Sequence, residues 1–99
     1  MPAIWSLKAA IENIEKRQTA ISQYESDLLK LLVEGLQKDP NIVFYNIDKP
    51  RVSTICFNVQ GVPSSDVVAY LDKHGVCVRG GIHCAILAHT QIGTVETGA

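Results

Sequence analysis

The sequence lacks an excess of charge of either sign, since nine Lys and Arg residues stand against ten Asp and Glu residues in 99, for a net charge of −1. The charges are spread along the chain and form no basic cluster for a nucleic-acid backbone or an anionic membrane. No apolar run reaches the roughly 18 residues that a membrane-spanning helix needs, and the N-terminus lacks the pattern of a secretory signal. We therefore expect a cytoplasmic protein with no nucleic-acid or membrane partner.

Cysteine is also scarce and is present in an odd number, three residues in all. An odd count in a chain without an export signal argues against a disulfide framework. No C-x-x-C pair occurs, and His83 is the one histidine beside a cysteine, so the spacing does not favour a zinc site. We expect Cys56, Cys77 and Cys84 to be free thiols and expect no metal site.

The length and composition are those of one small domain, with 99 residues of which 46% are apolar and 19% are charged. A chain this short buries about 65% of the surface that its unfolded form exposes, so its stability margin is thin unless a partner covers one face. No repeat or linker divides residues 1–99. We expect a single domain that is stabilised by a neighbour.

The first part of the chain has the apolar spacing of amphipathic helices. Apolar residues recur three and four positions apart and predict helices over about 3–17 and 20–38. The polar stretch 15–19 interrupts this pattern and predicts a break near residues 17–21. The second helix should end before Pro40, which has no amide to donate and restricts the residue that precedes it.

The rest of the chain predicts short strands, one further helix and a loop. Runs rich in β-branched and aromatic residues predict strands over 42–45, 52–59 and 76–79. A serine start and a glycine stop predict a helix over 65–74, and residues 80–99 have no clear period and predict a loop. This order is typical of an α+β fold with a small, mostly antiparallel sheet and helices packed on one face.

Alternation along the second strand predicts which side chains reach the core. Ser53, Ile55, Phe57 and Val59 share one face, which we expect to be buried. Cys56 is expected to be a small buried hydrophobe, and Cys77 is expected to lie in the core as well. The sheet has no closing strand, so one edge should be left unpaired.

The chemistry-bearing residues are concentrated between Val76 and His89, VCVRGGIHCAILAH. Arg79, at a strand end, can offer a planar cation to a carboxylate or lower the pKa of a nearby thiol. Gly80 and Gly81 allow a sharp turn. Cys84 then lies on an exposed loop, where a thiolate can attack sulfur. The alternative is an ordinary loop thiol with His83 and His89 as surface residues.

Residues 78–99, VRGGIHCAILAHTQIGTVETGA, resemble the active-site loop of the cysteine desulfurase-like branch of the class V aminotransferases, whose Suf-type members carry V-R-x-G-x-H-C-A before a variable loop. Residues 51–76 resemble the strand, turn and helix that precede this loop in the family. Residues 21–45 resemble the long helix that leads into the family's small domain. The resemblance therefore covers nearly the whole chain, and its H-C-A motif with the upstream arginine is fairly specific.

The resemblance implies that residues 1–99 form the C-terminal small domain of a fold-type I transferase that depends on pyridoxal phosphate. It implies that Cys84 takes the sulfur of L-cysteine as a persulfide and leaves alanine, with Arg79 near the substrate. The partners implied are the large cofactor-binding domain, a second subunit in a homodimer and a sulfur-acceptor protein. Further expected neighbours of the active site are Gly80, Gly81, His83 and His89.

The family's cofactor lysine, the acidic partner of the pyridinium nitrogen and the phosphate-binding loop belong to the large domain, and no segment here matches them. None of the six lysines matches the cofactor lysine; they are Lys8, Lys16, Lys30, Lys38, Lys49 and Lys73. We therefore expect a fragment or truncated product that binds no pyridoxal phosphate by itself and is inactive alone.

Two alternatives stay open. The parent protein could be another class V member, such as an aminotransferase or a selenocysteine lyase, although Cys84 favours sulfur or selenium chemistry. The chain could instead be a stand-alone α+β interaction module without catalysis.

Overall fold

The computed structural model describes residues 1–49 and 51–99. Its helices accompany one two-stranded antiparallel sheet, which confirms the predicted α+β class. The elements in chain order are α1 (Pro2–Leu36), β1 (Ile42–Tyr45), β2 (Cys56–Val59), α2 (Ser64–Lys73) and α3 (Ile86–Ile92).

Helix α1 is continuous from Pro2 to Leu36, so the predicted break near residues 17–21 is wrong. The polar stretch 15–19 reads EKRQT, and four of these five residue types are strong helix formers. They interrupt the apolar stripe but not the backbone hydrogen bonds, because neither glycine nor proline is among them. Pro2 stands in the first turn, where its missing amide has no helical partner to lose.

Strands β1 and β2 form an antiparallel hairpin in which Phe44 pairs with Phe57 and Tyr45 pairs with Cys56. The rings of Phe44 and Phe57 have centroids 6.4 Å apart. Strand β2 is shorter than the predicted range 52–59, because β1 is only four residues long and residues 52–55 face no strand among the described residues.

The predicted core face of β2 is only half-buried, and Ser53 on that face is exposed. The buried side chain is Asn58 on the opposite face, which is 9% exposed. The reason is a tertiary contact, since the Nδ2 group of Asn58 donates a hydrogen bond to the carbonyl of Gly98. The end of the chain therefore covers the face that alternation alone had assigned to solvent.

The last third of the chain differs most from its prediction. Helix α2 lies within one residue of the predicted range at each end. Residues 76–79 pair with no strand in the described part of the chain, and Cys77 is exposed instead of lying in the core. Within the predicted loop 80–99, residues Ile86–Ile92 form α3. A helix of two turns is too short to show a clear apolar period.

Most of the apolar surface of α1 is uncovered. Four residues at helical spacing, which we call the α1 stripe, are between 48% and 61% exposed: Ile4, Leu7, Ile11 and Ile14. No apolar side chain of the described residues is fully buried. A helix of 35 residues is roughly 52 Å long, which is well above the 30 Å extent of the chain along its two shorter axes. Within the described ranges, no helix combines the length and apolar character needed to cross a membrane.

Candidate active-site segment

Cys84 lies in a four-residue turn, residues 82–85, which we call the cysteine turn. The amide of Ala85 donates a hydrogen bond to the carbonyl of Ile82 over 3.1 Å and closes the turn. His83 has a φ of 50°, a left-handed conformation that few residues other than glycine adopt. The side chain of Cys84 is exposed. The turn therefore presents the thiol to solvent just before α3.

Two glycines precede the cysteine turn and lie in a narrow space. A Cβ atom at Gly80 would stand 2.7 Å from Cγ2 of Val68 and 3.0 Å from the carbonyl oxygen of Ser64, so a larger residue would push this segment away from α2. Gly81 has a φ of 108°, which glycine adopts without steric cost. On its other side, the Cα of Gly81 is 2.9 Å from the position that a Cβ at Gly98 would take.

His83 and Arg79 have different surroundings. Since a carbonyl can only accept, Nε2–H of His83 donates a hydrogen bond to the carbonyl of Gly80 over 3.0 Å, which holds the ring over the glycines. Arg79 is exposed, and no carboxylate of the described residues forms an ion pair with it. Its guanidinium is therefore free to receive a carboxylate ligand.

His89 is 8% exposed, so the alternative expectation of a surface histidine is wrong. Its Nδ1 is hydrogen-bonded to Oγ1 of Thr94 over 2.7 Å, and the amide of Thr94 donates to the carbonyl of His89 over 2.9 Å. Thr94 is only 2% exposed. The pair ties the end of α3 to the tail, residues 94–99, and does not place His89 on the surface beside Cys84.

Sequence reasoning missed the contacts that hold the tail in place. Nδ2 of Asn58 donates to the carbonyl of Gly98 over 2.8 Å, and the carbonyl of Thr97 accepts from the amide of Ser64 over 2.9 Å. The second bond satisfies one of the free amides in the first turn of α2. One sequence signal was present, because asparagine is disfavoured in strands and stands out within β2.

The three thiols lie in different environments. Cys56 is half-buried in β2, and burial raises the pKa of its thiol above the ordinary value. Burial and the neighbouring Cys56 also raise the pKa of Tyr45. Cys77 and Cys84 are both exposed. Cys56 is therefore a poor nucleophile near neutral pH, whereas exposure alone does not separate Cys84 from Cys77.

The described residues do not fit pyridoxal phosphate. A bound pyridoxal phosphate needs an enclosed lysine and a carboxylate for its ring nitrogen, but all six lysines are exposed. One open groove is lined by residues of α1 together with Ile47 and Arg51. A second is lined by the hairpin, residues 60–62, Gly93, Thr94 and Thr97, and Cys84 lines neither groove. Within these same residues, no three His, Cys, Asp or Glu side chains are grouped to hold a metal.

Comparison with known proteins places the sequence in a family. Residues 1–97 match the family model "Aminotransferase class-V". A cysteine desulfurase of Pectobacterium carotovorum subsp. carotovorum (strain PC1) is 33% identical over 84 residues, which are 84% of this chain and 20% of that protein. A cysteine desulfurase of Wigglesworthia glossinidia brevipalpis is 39% identical over 66 residues, 67% of this chain and 16% of that protein.

A third relative, the cysteine desulfurase of Klebsiella pneumoniae (strain 342), is 35% identical over 76 residues, 75% of this chain and 18% of the relative. The chain thus spans about a fifth of the length of the curated relatives that it matches. No solved structure is a significant match. Because the family model spans nearly all of the sequence, the chain belongs to the class-V aminotransferase family.

Proposed function

We propose that this chain is the C-terminal small domain of a cysteine desulfurase and that Cys84 is the thiol that accepts sulfur. The observation that carries the proposal is the cysteine turn. It presents the thiol to solvent within the H-C-A motif of a chain whose relatives are named cysteine desulfurase. A thiolate is a strong nucleophile toward sulfur.

The reaction that we assign to Cys84 is a sulfur transfer in which atoms and electrons balance. The Cys84 thiolate forms a sulfur–sulfur bond with the sulfur of L-cysteine, and the carbon–sulfur bond of the substrate breaks. The electron pair of that bond stays with the carbon, which takes up a proton, so that alanine leaves. Cys84 is left as a persulfide, which a sulfur-acceptor protein can then reduce.

Arg79 is proposed to bind the substrate. Its exposed guanidinium lies five positions before Cys84 and can receive a carboxylate through two parallel hydrogen bonds. His83 is proposed to hold the glycine segment, because its Nε2–H is donated to the carbonyl of Gly80. Gly80 and Gly81 serve by letting the segment pass between α2 and the tail.

The remaining partners are proposed from the family. We place the pyridoxal phosphate on a large domain, since the described residues of this chain do not fit it, and we expect that domain to cover the α1 stripe. We further propose a homodimeric parent protein in the cytoplasm. Nothing in the sulfur transfer assigned to Cys84 requires a cofactor-binding residue from this chain.

Fusion of this chain to the remaining four-fifths of the Pectobacterium relative tests the proposal. We expect the fusion to release alanine from L-cysteine and to carry persulfide on Cys84, read by mass spectrometry. Cys84→Ala should abolish alanine release, whereas Cys77→Ala, which changes the other exposed thiol, should keep it.

Persulfide on Cys77 or Cys56, or full activity of the Cys84→Ala fusion, would refute the role of Cys84. The relative's own full-length protein, carried through the same assay, shows whether the assay detects desulfurase activity. The cofactor absorbance of each fusion shows whether the joined large domain has folded.

A further inference from the structure

The side chain of Asn58 makes one hydrogen bond to the described residues and leaves its other polar atom without a partner. Its Nδ2 donates to the carbonyl of Gly98 over 2.8 Å. Its Oδ1 is buried and accepts no hydrogen bond from any described residue. A buried polar atom without a partner is costly, and asparagine is a poor strand residue. The contact that Asn58 does make is the hydrogen bond that fixes Gly98.

Gly98 in turn lies against the segment that carries the cysteine turn. A Cβ at Gly98 would stand 2.9 Å from Cα and 3.2 Å from the amide nitrogen of Gly81. It would also overlap with Oγ of Ser64. Gly98 has a φ of 68°, so glycine suits the position on both steric and conformational grounds. The tail and the glycine segment are therefore in direct backbone contact.

From Gly81 the contact continues into the cysteine turn. Gly81 directly precedes Ile82, the first residue of that turn. His83 folds its ring back onto the carbonyl of Gly80. The turn and the two glycines thus form one unit, which α2 supports on one side and the tail supports on the other.

We infer that Asn58 is a positioning residue for Cys84. Through its bond to Gly98 it holds the tail against Gly81 and so fixes the turn that presents the thiol. The inference deepens the proposed function and rests on it, because the placement of Cys84 matters to the reaction only if Cys84 accepts sulfur. Asn58 itself touches no reacting atom.

Amide exchange measured by NMR on the 99-residue chain tests the inference. Asn58→Asp keeps the side-chain shape but sets an oxygen against the Gly98 carbonyl in place of the donor. We expect exchange of the Ala85 amide, which closes the cysteine turn, to become about tenfold faster, the effect of losing one hydrogen bond of ordinary strength. Amides within α2 should keep their rates. Asn13→Asp makes the same chemical change on the exposed surface of α1 and should alter neither set.

Gly98→Ala disturbs the contact from the tail and decides the question if Asn58→Asp does not fold. Its Cβ would crowd Gly81, so we expect the same acceleration at Ala85. Gly75→Ala is the matched control, because Gly75 has a φ of 75° but no atom within 4 Å of the added Cβ. It carries similar backbone strain without the crowding.

An unchanged Ala85 rate in both Gly98→Ala and a folded Asn58→Asp would overturn the inference. Equal acceleration of Ala85 and of the α2 amides in Gly98→Ala would also overturn it, since the effect would then be a general loss of stability. Failure of the proposed function would give a different result. No persulfide would form on Cys84 in the fused enzyme, while amide exchange at Ala85 would still become faster in both variants.

Discussion

The N-terminal half of α1 and the junction between β2, α2 and the tail show opposite distributions of polar and apolar side chains. The α1 stripe is apolar and about half exposed, with Ile11 at 48% and Leu7 at 61%. At the junction, Asn58 and Thr94 are polar and are 9% and 2% exposed. Among the described residues, the buried side chains are all polar: Asn58, Ser64, His89 and Thr94.

This difference shows how the two regions are stabilised. The junction is ordered from within the chain by hydrogen bonds, among them those from Nδ2 of Asn58 to Gly98 and from the amide of Ser64 to Thr97. The α1 stripe has no such internal partner, and apolar surface of this extent on a small domain favours association. The segment that carries Cys84 is therefore organised by this chain alone, whereas α1 needs a surface from elsewhere.

The largest effect is expected when a charge is placed in the apolar α1 stripe. The isolated chain should self-associate through the α1 stripe. Ile11→Asp should raise the dissociation constant about 100-fold, because each of two copies loses a buried isoleucine worth about 1.5 kcal/mol or more. Sedimentation over a concentration series measures this. Asn13→Asp adds the same charge to α1 outside the stripe and should have little effect. A wild-type chain that stays monomeric throughout the series would contradict the prediction.

A smaller effect is expected when a hydrogen bond is removed from the buried polar junction. Thr94→Val keeps the side-chain shape but leaves Nδ1 of His89 buried without its partner, so the free energy of unfolding should fall by about 2 kcal/mol. Urea denaturation measures the change. The matched control is Thr90→Val, because Oγ1 of Thr90 donates to the carbonyl of Ile86 at an exposed site. Similar losses in the two variants would show that burial of the His89–Thr94 pair is not what stabilises the junction.

The smallest effect concerns the half-buried thiol of Cys56. Burial raises its pKa in the folded chain, so the unfolded chain loses this proton first as the pH rises. Stability is therefore fully present below the ordinary thiol pKa of about 8.5 and declines as the pH rises through the folded value. Cys56→Ala should flatten this decline in denaturation midpoints measured across alkaline pH. An unchanged slope would show that other groups cause it.

The parts of the fold that the sequence predicted well are those whose signals are local. The hairpin strands and α2 follow from β-branched runs and from a glycine stop, and the helical character of α1 follows from apolar spacing. The break in α1 was inferred from the polar stretch 15–19. Polar residues that favour helix indicate an exposed part of a helix and not its end.

Partner-dependent features could not be predicted. Residues 76–79 have strand-forming side chains, yet a strand needs a neighbour and the described chain supplies none there. The burial of Asn58 and His89 depends on where the tail packs, which no local pattern encodes. At the candidate site, the exposure of Cys84 followed from the two glycines and the loop, whereas the hold exerted by the tail became visible only in three dimensions.

The polar character of the buried side chains also has a calorimetric consequence. Exposure of apolar surface is what raises the heat capacity on unfolding, usually by about 12–15 cal/mol/K per residue. A chain with no fully buried apolar side chain in its described residues should show a smaller heat-capacity increment on unfolding. A surface that covers the α1 stripe adds apolar area to what unfolding exposes, so the heat-capacity increment reports whether that stripe is covered.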